Sequence, residues 1–152
     1  MNYYILSIGY MRKSPETEIF YNYSKRLTNK LFLKEYVSNL PSGQARIKDE
    51  CKKLLDMVKN NNSKVILLDE SGENISSNNF SKILMKFRNE SFKNICFIIG
   101  GADGVTEEVF EKADKILSFG RMTWPHLLAR LMLIEQIYRS ETIINGHPYH
   151  RK

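Results

Sequence analysis

The sequence predicts an α/β fold in a single domain, with a mostly parallel sheet flanked by helices. Short apolar runs of strand length alternate with segments in which apolar residues recur at helical spacing, from one end of the chain to the other. The runs are apolar on consecutive residues, as in Ile95–Ile99, which is typical of parallel strands buried on both faces. No internal repeat or long linker divides the 152 residues, a length that suits one domain with its own core.

The first sixty residues are predicted to form two strands and two helices. Tyr3–Gly9 is a buried strand, and Ser14–Glu16 supplies an N-cap, a proline for the first turn and an early acid, which together start a helix. Leu31–Val37 mixes alternate apolar residues with charge and is predicted to be a less buried strand. A break at Pro41–Gly43 precedes an amphipathic helix. The apolar face of that helix is Ile47, Cys51, Leu54, Leu55 and Val58.

The remainder of the chain continues the alternation after a polar turn at Asn60–Ser63. In chain order it contains the strand Lys64–Asp69, the helix Ser76–Arg88, the strand Ile95–Ile99, the short helix Thr106–Ala113, the short strand Lys115–Ser118 and the helix Trp124–Arg139. The last helix is apolar nearly all round, and one sheet covers only one side of it. A symmetric second subunit is a natural partner for the other side, and the alternative is a central helix buried within one chain.

Composition bounds the class of protein. A hydrophobic content of 42% and an aromatic content of 11% are those of a folded domain. The net charge of +6 favours a polyanionic partner such as nucleic acid, although many proteins carry such an excess for solubility alone. Cys51 and Cys96 lie in apolar patterns without CxxC spacing, so both are predicted to be reduced core residues. The N-terminal residues lack the features of a signal peptide and no apolar run reaches membrane-span length, so a cytoplasmic protein is expected.

Three loops are predicted to meet where the strands end, and ligands of open α/β sheets collect there. They are Leu68–Gly72, Gly100–Gly104 and Ser118–Pro125. The glycine loop, Gly100–Gly104, lacks the spacing of dinucleotide and P-loop motifs, and Asp103 with the acids that follow it would repel a pyrophosphate. A neutral or cationic ligand fits better, and a tight turn with no ligand is the alternative.

The loop before the last helix is the second candidate for ligand contact. Thr123 is predicted to be the N-cap of that helix and Pro125 an early helical residue, which leaves Gly120–Trp124 free to present backbone groups to a planar heterocycle. The alternatives are that Trp124 is a hydrophobic plug and Arg121 a solvated charge. Arg130 and Arg139 could bind phosphate, or could snorkel or pair with acids such as Glu135.

The last eight residues, Asn145–Lys152, hold two of the three histidines, a tyrosine and two cations. Such a tail could stack a base, clamp phosphate and accept a proton, which suggests RNA contact. A disordered polar tail is the alternative. A metal site is not expected, because His147 and His150 lack a third ligand at suitable spacing.

Three segments, Phe97–Gly104, Leu117–His126 and Ile134–Arg139, together with the His-Pro-Tyr-His-Arg tail, carry a family resemblance. In order and spacing they resemble the bacterial 23S rRNA (pseudouridine-N3)-methyltransferases, the RlmH type of the SPOUT superfamily. The resemblance runs the whole length and includes Ser7–Gly9 at the first strand end. Family members commonly differ at Ala102 and carry serine in place of Gly120, and neither change removes a side chain that chemistry obviously needs.

The resemblance implies a C-terminal trefoil knot, through which the last helix passes, and a homodimer formed around it. It also implies S-adenosylmethionine, bound in a bent form by the three loops. The cofactor contacts implied by matching position are Leu68, Gly101, Gly120, Arg121, Met122, Thr123, Trp124 and Pro125.

The implied reaction is methylation of N3 of a pseudouridine in 23S rRNA within assembled 70S ribosomes. Its N3 proton must leave, either to His147 or His150 as a base or to water. Arg139 and Arg151 would steer phosphate, and Tyr149 would stack a base. No membrane or metal partner is expected. Two other classes stay open: a non-catalytic basic RNA-binding module, and a nucleotide-binding enzyme of flavodoxin or Rossmann type.

Overall fold

A computed structural model describes residues 1–58 and 62–150, in which strands and helices alternate as predicted. In chain order the elements are β1 (Asn2–Ile8), α1 (Pro15–Arg26), β2 (Leu31–Tyr36), α2 (Gln44–Met57), β3 (Ser63–Asn74), α3 (Ser77–Asn89), β4 (Asn94–Ile99), α4 (Glu107–Lys112), β5 (Lys115–Ser118) and α5 (His126–Ile144). Ser14 caps α1 as predicted, because its Oγ accepts the N–H of Thr17 at 3.2 Å. Two residues of the predicted turn Asn60–Ser63 lie outside the described residues, and Ser63 already belongs to β3.

The five strands form one sheet in the order β2-β1-β4-β3-β5, and every neighbouring pair is parallel. The predicted parallel sheet is therefore confirmed. The central strand β4 is buried along Ile95–Ile99, whereas the edge strand β2 is only partly buried, as its mixed sequence predicted. Since all strands run the same way, all five carboxyl ends meet at one edge of the sheet, which is called the carboxyl edge below.

Helices cover both faces of the sheet. On one face α5 packs against α1 and α3, over strand residues such as Tyr3, Ile5 and Phe97. On the other face α2 and α4 cover the alternate strand residues, including Cys96, and Cys51 lies on α2. Both cysteines are buried and neither forms a disulfide. Both cysteines are thus reduced core residues, as predicted. No helix in the described ranges has the length and apolar character needed to cross a membrane.

Two predicted boundaries are wrong by several residues. Strand β3 continues to Asn74 rather than ending at Asp69, because it pairs again with β5 after a register shift between Leu68 and Glu73. The two backbones come so close there that a Cβ on Gly72 would lie 2.6 Å from the carbonyl carbon of Leu117. The residues that pair again are polar and lack the alternation of apolar and polar residues that marks a strand, so the sequence did not predict this second pairing.

Helix α5 begins later and ends later than the predicted Trp124–Arg139. It begins at His126 with Pro125 as its N-cap, so the predicted capping role of Thr123 is wrong. The ring of a proline disfavours helical geometry at the residue before it. Trp124 precedes Pro125 and therefore does not join the helix. Helix α5 then runs to Ile144, because Ser140, Glu141 and Thr142 are buried although they are polar.

Most of α5 is buried within one chain, between the sheet and its two neighbouring helices. The buried side includes Leu133, Ile134 and Ile137, whereas Leu128 is exposed and Leu131 and Met132 are partly buried. One side of this helix was expected to lack packing partners within the chain. Only part of its N-terminal half is exposed in this way.

Candidate functional site

A cavity of about 760 Å³ opens at the carboxyl edge of the sheet, between the ends of β3, β4 and β5. Its walls are Leu68–Glu70 of β3, the glycine loop after β4 and the loop between β5 and α5. The first turn of α5 adds His126 and Ala129. The three segments predicted from the sequence therefore meet around one cavity, although the first of them, Leu68–Gly72, belongs to β3 and is not a loop.

Most of the residues predicted to bind a cofactor line this cavity. Those that do are Leu68, Gly101, Gly120, Met122, Thr123, Trp124 and Pro125. Arg121 is exposed and is not among the lining residues. Trp124 is 38% exposed and Met122 is 72% exposed, so Trp124 lies at the cavity wall and is not a buried plug.

The charged side chains of the cavity wall are acidic. Asp69, Glu70 and Asp103 contribute carboxylates, and His126 is the titratable base among the described lining residues, which include no lysine or arginine. Carboxylates attract a cationic ligand and repel a phosphate. The cavity thus has the polarity that the sequence predicted for the glycine loop.

The glycine loop has almost no space for side chains behind it. The carbonyl of Gly101 accepts the N–H of Gly104 at 3.1 Å, which closes a tight turn, and Gly104 adopts a φ of 82°. A Cβ on Gly101 would lie 2.9 Å from Oε2 of Glu50. Glu50 is buried, and its Oε1 accepts the Nε–H of Arg46 at 3.0 Å. The backbone of the cavity wall therefore packs directly on a buried carboxylate.

Sequence reasoning missed Glu50, although a signal was present. Glu50 is three residues after Ile47 and four before Leu54, so it lies on the same apolar face of α2. A carboxylate at such a position must be buried with a partner, and Arg46 at the preceding turn supplies it.

The loop between β5 and α5 is shaped by Ser118 and Gly120. The hydroxyl of Ser118 accepts the N–H of Gly120 at 3.0 Å and donates to the carbonyl of Gly120 at 2.7 Å. Gly120 has a φ of 111°, a conformation that suits glycine. These contacts turn the chain sharply, so that Met122–Pro125 return along the cavity wall.

The surroundings of His126, on the cavity wall, shift its pKa. Burial lowers the pKa of His126, and the positive charge of Arg130 lowers it further, while Glu50 acts weakly in the opposite direction. The imidazole is therefore neutral at pH 7, and it leaves the acidic character of the cavity unchanged.

Arg130 is a buried cation beneath the site, and its side chain is 2% exposed. Its Nη1 donates to Oε1 of Glu35 at 2.7 Å, and its Nη2 donates to the carbonyls of Ile8 at 2.7 Å and Gly9 at 2.8 Å. Burial lowers the pKa of Arg130, and the charge of Glu35 opposes this. Arg130 therefore pairs with an acid, although with Glu35 rather than Glu135, and it does not snorkel. It joins α5 to the ends of β1 and β2.

The predicted catalytic residues come together at a different place. Arg139 pairs with Glu135 at 2.6 Å, and the hydroxyl of Tyr149 donates to the same Glu135 oxygen at 3.0 Å. Arg139 also lies 3.4 Å from Nδ1 of His150, and its guanidinium carbon is 4.9 Å from the centre of the Tyr149 ring. His147 is exposed, and its Nδ1 accepts the N–H of Tyr149 at 3.2 Å.

This tail cluster lies beside a second cavity, of about 510 Å³, which Glu135 and Tyr23 help to line. The hydroxyls of Tyr23 and Tyr149 share a hydrogen bond of 3.3 Å. Burial, followed by these hydrogen bonds to Tyr23 and Glu135, raises the pKa of Tyr149. None of the described tail residues lines the 760 Å³ cavity. Arg151 lies outside the described residues.

Over the described part of the chain, no three His, Cys, Asp or Glu side chains are grouped as metal ligands would be.

Comparison with known proteins gives a consistent result along the whole chain. The family model described as "Predicted SPOUT methyltransferase" matches residues 1–150. A protein of Paramagnetospirillum magneticum named "Ribosomal RNA large subunit methyltransferase H" is 40% identical over 151 residues, which cover 99% of each chain. Proteins with the same name from Rhodospirillum centenum and Bartonella henselae are 40% identical over 151 residues and 34% identical over 160 residues, again with 99% of each chain covered.

Proposed function

Because this chain belongs to the SPOUT methyltransferase family, we propose that it methylates large-subunit rRNA with S-adenosylmethionine as the methyl donor. The proposed target is N3 of a pseudouridine in 23S rRNA, within the assembled 70S ribosome and in the cytoplasm. Relatives that share the full length of this chain are named as rRNA large subunit methyltransferases, which supports the reaction class and the substrate class.

The observation that carries the proposal is the acidic cavity at the carboxyl edge. S-adenosylmethionine carries a sulfonium and an amino group, both cationic, and the cavity presents Asp69, Glu70 and Asp103 without a lining lysine or arginine among the described residues. Its volume of about 760 Å³ is within the range of small-molecule sites. A flavodoxin-type or Rossmann-type enzyme would need a wall that accepts phosphate, so the charges disfavour that alternative.

The residues proposed to hold the donor are those predicted by matching position. Gly101 and the run Gly120–Pro125 would offer backbone groups to the adenine and ribose, and Leu68 would add an apolar contact. Such a wall fits a planar heterocycle, because Gly101 and Gly120 let the backbone approach a ligand closely. When bound, the donor supplies an electrophilic methyl group on a positively charged sulfur.

The protein's own task in this reaction is to align the acceptor and to manage one proton. Methyl transfer from a sulfonium is an in-line displacement, so most of the catalysis comes from positioning. The N3 proton of the acceptor must leave, and His147 or His150 is proposed as its acceptor. Arg139 and Arg151 would hold phosphate, and Tyr149 would stack on a base.

The tail cluster and the cavity lie apart in the single chain, so the proposal has a structural requirement. Either the tail leaves Glu135 and moves to the cavity, or the tail of a second subunit reaches it. A homodimer formed around a C-terminal trefoil knot is part of the proposal, and the partly exposed N-terminal half of α5 supports an apolar contact between subunits.

The experiment that tests this function is transfer of labelled methyl from S-adenosylmethionine to 70S ribosomes that lack the modification. Isolated subunits and protein-free rRNA run alongside. Label on 70S ribosomes alone, mapped to one pseudouridine, is the expected result. A folded protein that binds the donor but labels none of these substrates would remove the proposed substrate. A protein that binds a flavin or dinucleotide instead of the donor would overturn the proposal.

Variants of the tail test its proposed role. His150→Ala should lower turnover and leave donor affinity intact, and an unchanged rate would exclude it as the base. Removal of residues 147–152 should abolish transfer, whereas full activity without them would show that the tail has no catalytic role.

A further inference from the structure

The loop between β1 and α1, Gly9–Lys13, lies at the same edge of the sheet as the donor cavity and next to it. Strands β1 and β4 are neighbours, so this loop follows the strand beside the one that carries the glycine loop. A Cβ on Gly101 would lie 3.4 Å from Cγ2 of Ile8, so the glycine loop packs on the last residue of β1. Whatever binds over the cavity therefore passes close to Gly9–Lys13.

Three side chains of this loop are exposed, and its charged side chains are all positive. Tyr10 is 62% exposed, and Arg12 and Lys13 are exposed as well. The loop contains no acid. On the far side of the cavity Arg121 is also an exposed cation. Cations thus flank the cavity, whereas carboxylates line it, so the two kinds of charge are separated between the rim and the wall.

The backbone of the loop is held from below at successive residues. Arg130 donates to the carbonyls of Ile8 and Gly9, as described above, and Glu35 accepts the N–H of Met11 at 2.7 Å. The hydroxyl of Thr17 donates to the carbonyl of Arg12 at 2.6 Å. A backbone fixed in this way presents Tyr10 and the two cations without a large ordering cost on binding.

On the premise of the proposed methyl transfer to rRNA, we infer that Gly9–Lys13 is an RNA-docking loop. The ring of Tyr10 stacks on an unpaired base, and Arg12 and Lys13 contact phosphates of the same rRNA segment. Exposed aromatic rings next to cations are the means by which proteins bind single-stranded RNA, because every base has a face to stack and every nucleotide has a phosphate.

The acids near this loop limit where the RNA backbone can run. Glu35 is neutralised by Arg130, but Glu16 and Glu18 lie in the first turn of α1, directly after the loop. They would repel phosphate along α1. The RNA backbone is therefore expected on the side of the loop that faces the glycine loop and the donor cavity.

Two variants and a matched control test the inference. Tyr10→Ala removes the ring, and Arg12→Gln with Lys13→Gln removes two charges. Lys112→Gln with Lys115→Gln removes two exposed charges where α4 ends and β5 begins, at the opposite edge of the sheet. Binding of each protein to protein-free 23S rRNA is measured over a range of salt concentrations, together with the KM for ribosomes in methyl transfer and the affinity for S-adenosylmethionine.

We expect Tyr10→Ala to raise the Kd for rRNA and the KM for ribosomes about tenfold, the effect of losing one base–aromatic stack. Tyr10→Phe should bind like the unchanged protein, since the ring is kept. Arg12→Gln with Lys13→Gln should lower the slope of log K against log salt by about 1.5, for two lost phosphate contacts. The affinity for S-adenosylmethionine should stay the same in all variants. The control pair should change neither the binding of rRNA nor the KM for ribosomes.

Loop variants that bind rRNA as the control pair does would overturn the inference. Weaker binding to ribosomes with unchanged binding to protein-free rRNA would also overturn it, because the contact would then be with a ribosomal protein. Binding to rRNA does not depend on methyl transfer. Failure of the proposed function, seen as absence of label with the unchanged protein, is therefore distinguishable from failure of the docking loop.

Discussion

Replacement of Arg130 by methionine tests whether the buried guanidinium holds the carboxyl edge together. Methionine keeps much of the length and volume of the side chain but donates no hydrogen bond. The change removes three bonds of 2.7, 2.7 and 2.8 Å, to Glu35 and to the carbonyls of Ile8 and Gly9. It leaves Glu35 as a partly buried carboxylate without its cation.

The expected loss can be worked from these contacts. Removing one partner of a buried ion pair costs about 3–5 kcal/mol of folding free energy. Glu35 is 18% exposed and keeps the N–H of Met11 as a donor, so the lower end, about 3 kcal/mol, is expected. For a domain of this size about 1 kcal/mol shifts the Tm by roughly 2–4 °C, so the Tm should fall by about 10 °C.

The assay is urea unfolding followed by circular dichroism. A double-mutant cycle compares the unchanged protein with Arg130→Met, Glu35→Gln and the double variant Arg130→Met/Glu35→Gln. The double variant has no stranded charge, so part of the loss should return, with a coupling energy of about 1–3 kcal/mol. Arg139→Met is the matched control on the same helix, because Arg139 is 27% exposed and should lose only about 1 kcal/mol. A loss below about 1 kcal/mol for Arg130→Met, or purely additive losses in the cycle, would refute this reasoning.

Three further predictions concern other buried polar groups. Glu141→Ala should lower the free energy of unfolding in urea by about 3 kcal/mol, because the Glu141 carboxylate accepts the backbone N–H groups of Thr28 and Asn29 and the side-chain amide of Asn29. Equal stability of Glu141→Ala and Glu141→Gln would contradict this, because only glutamine keeps an acceptor. The pKa of His126 is lowered from 6.5, so the unfolded chain takes up a proton first and stability falls as the pH drops below 6.5 through the folded pKa. His126→Gln should not show the loss of stability that His126 causes below pH 6.5. Identical curves of stability against pH for this variant and the unchanged protein would disprove the prediction. Glu50→Gln should weaken binding of S-adenosylmethionine about fivefold and that of S-adenosylhomocysteine less, because both carry the amino group but only S-adenosylmethionine carries the positive sulfonium; equal calorimetric losses would indicate a purely structural role.

The fold was predictable because the apolar pattern of this chain follows burial closely along the strands. Continuous apolar runs such as Ile95–Ile99 mark strands covered on both faces, and the mixed run at Leu31–Val37 marks the edge strand. The position of the cavity followed from the same pattern, since loops after parallel strands must meet at one edge. The acidity predicted for the glycine loop agrees with the acidic wall of the cavity.

The parts that were not predictable are those where polar residues are buried. Pattern reading treats polarity as exposure, so the last helix was predicted to end at Arg139, before the buried Ser140–Thr142. For the same reason the sequence does not indicate that Arg130 is buried, because its partners Glu35 and Ile8 lie far away in sequence. Contacts of this kind depend on tertiary packing, which local spacing does not encode.

The separation of the tail from the cavity constrains the proposed mechanism, in which the tail acts at the cavity. Tyr149 is held by hydrogen bonds to Glu135 and Tyr23 and by an edge contact with Tyr138, whose ring centre is 4.9 Å away. Two hydrogen bonds and one aromatic pair are worth about 2–4 kcal/mol together. At about 1.4 kcal/mol for each factor of ten, roughly one chain in thirty to one in several hundred would have its tail released at any moment. A released tail is thus populated enough to be captured by rRNA, and the energy needed to hold it at the cavity is no more than one or two base stacks supply. A tail that acts on the cavity of a second subunit from its docked position needs no such release. Glu135→Ala, which removes the acceptor of the Tyr149 hydroxyl, separates the two routes. Faster transfer would indicate a tail that must be released, and slower transfer a tail that must stay docked.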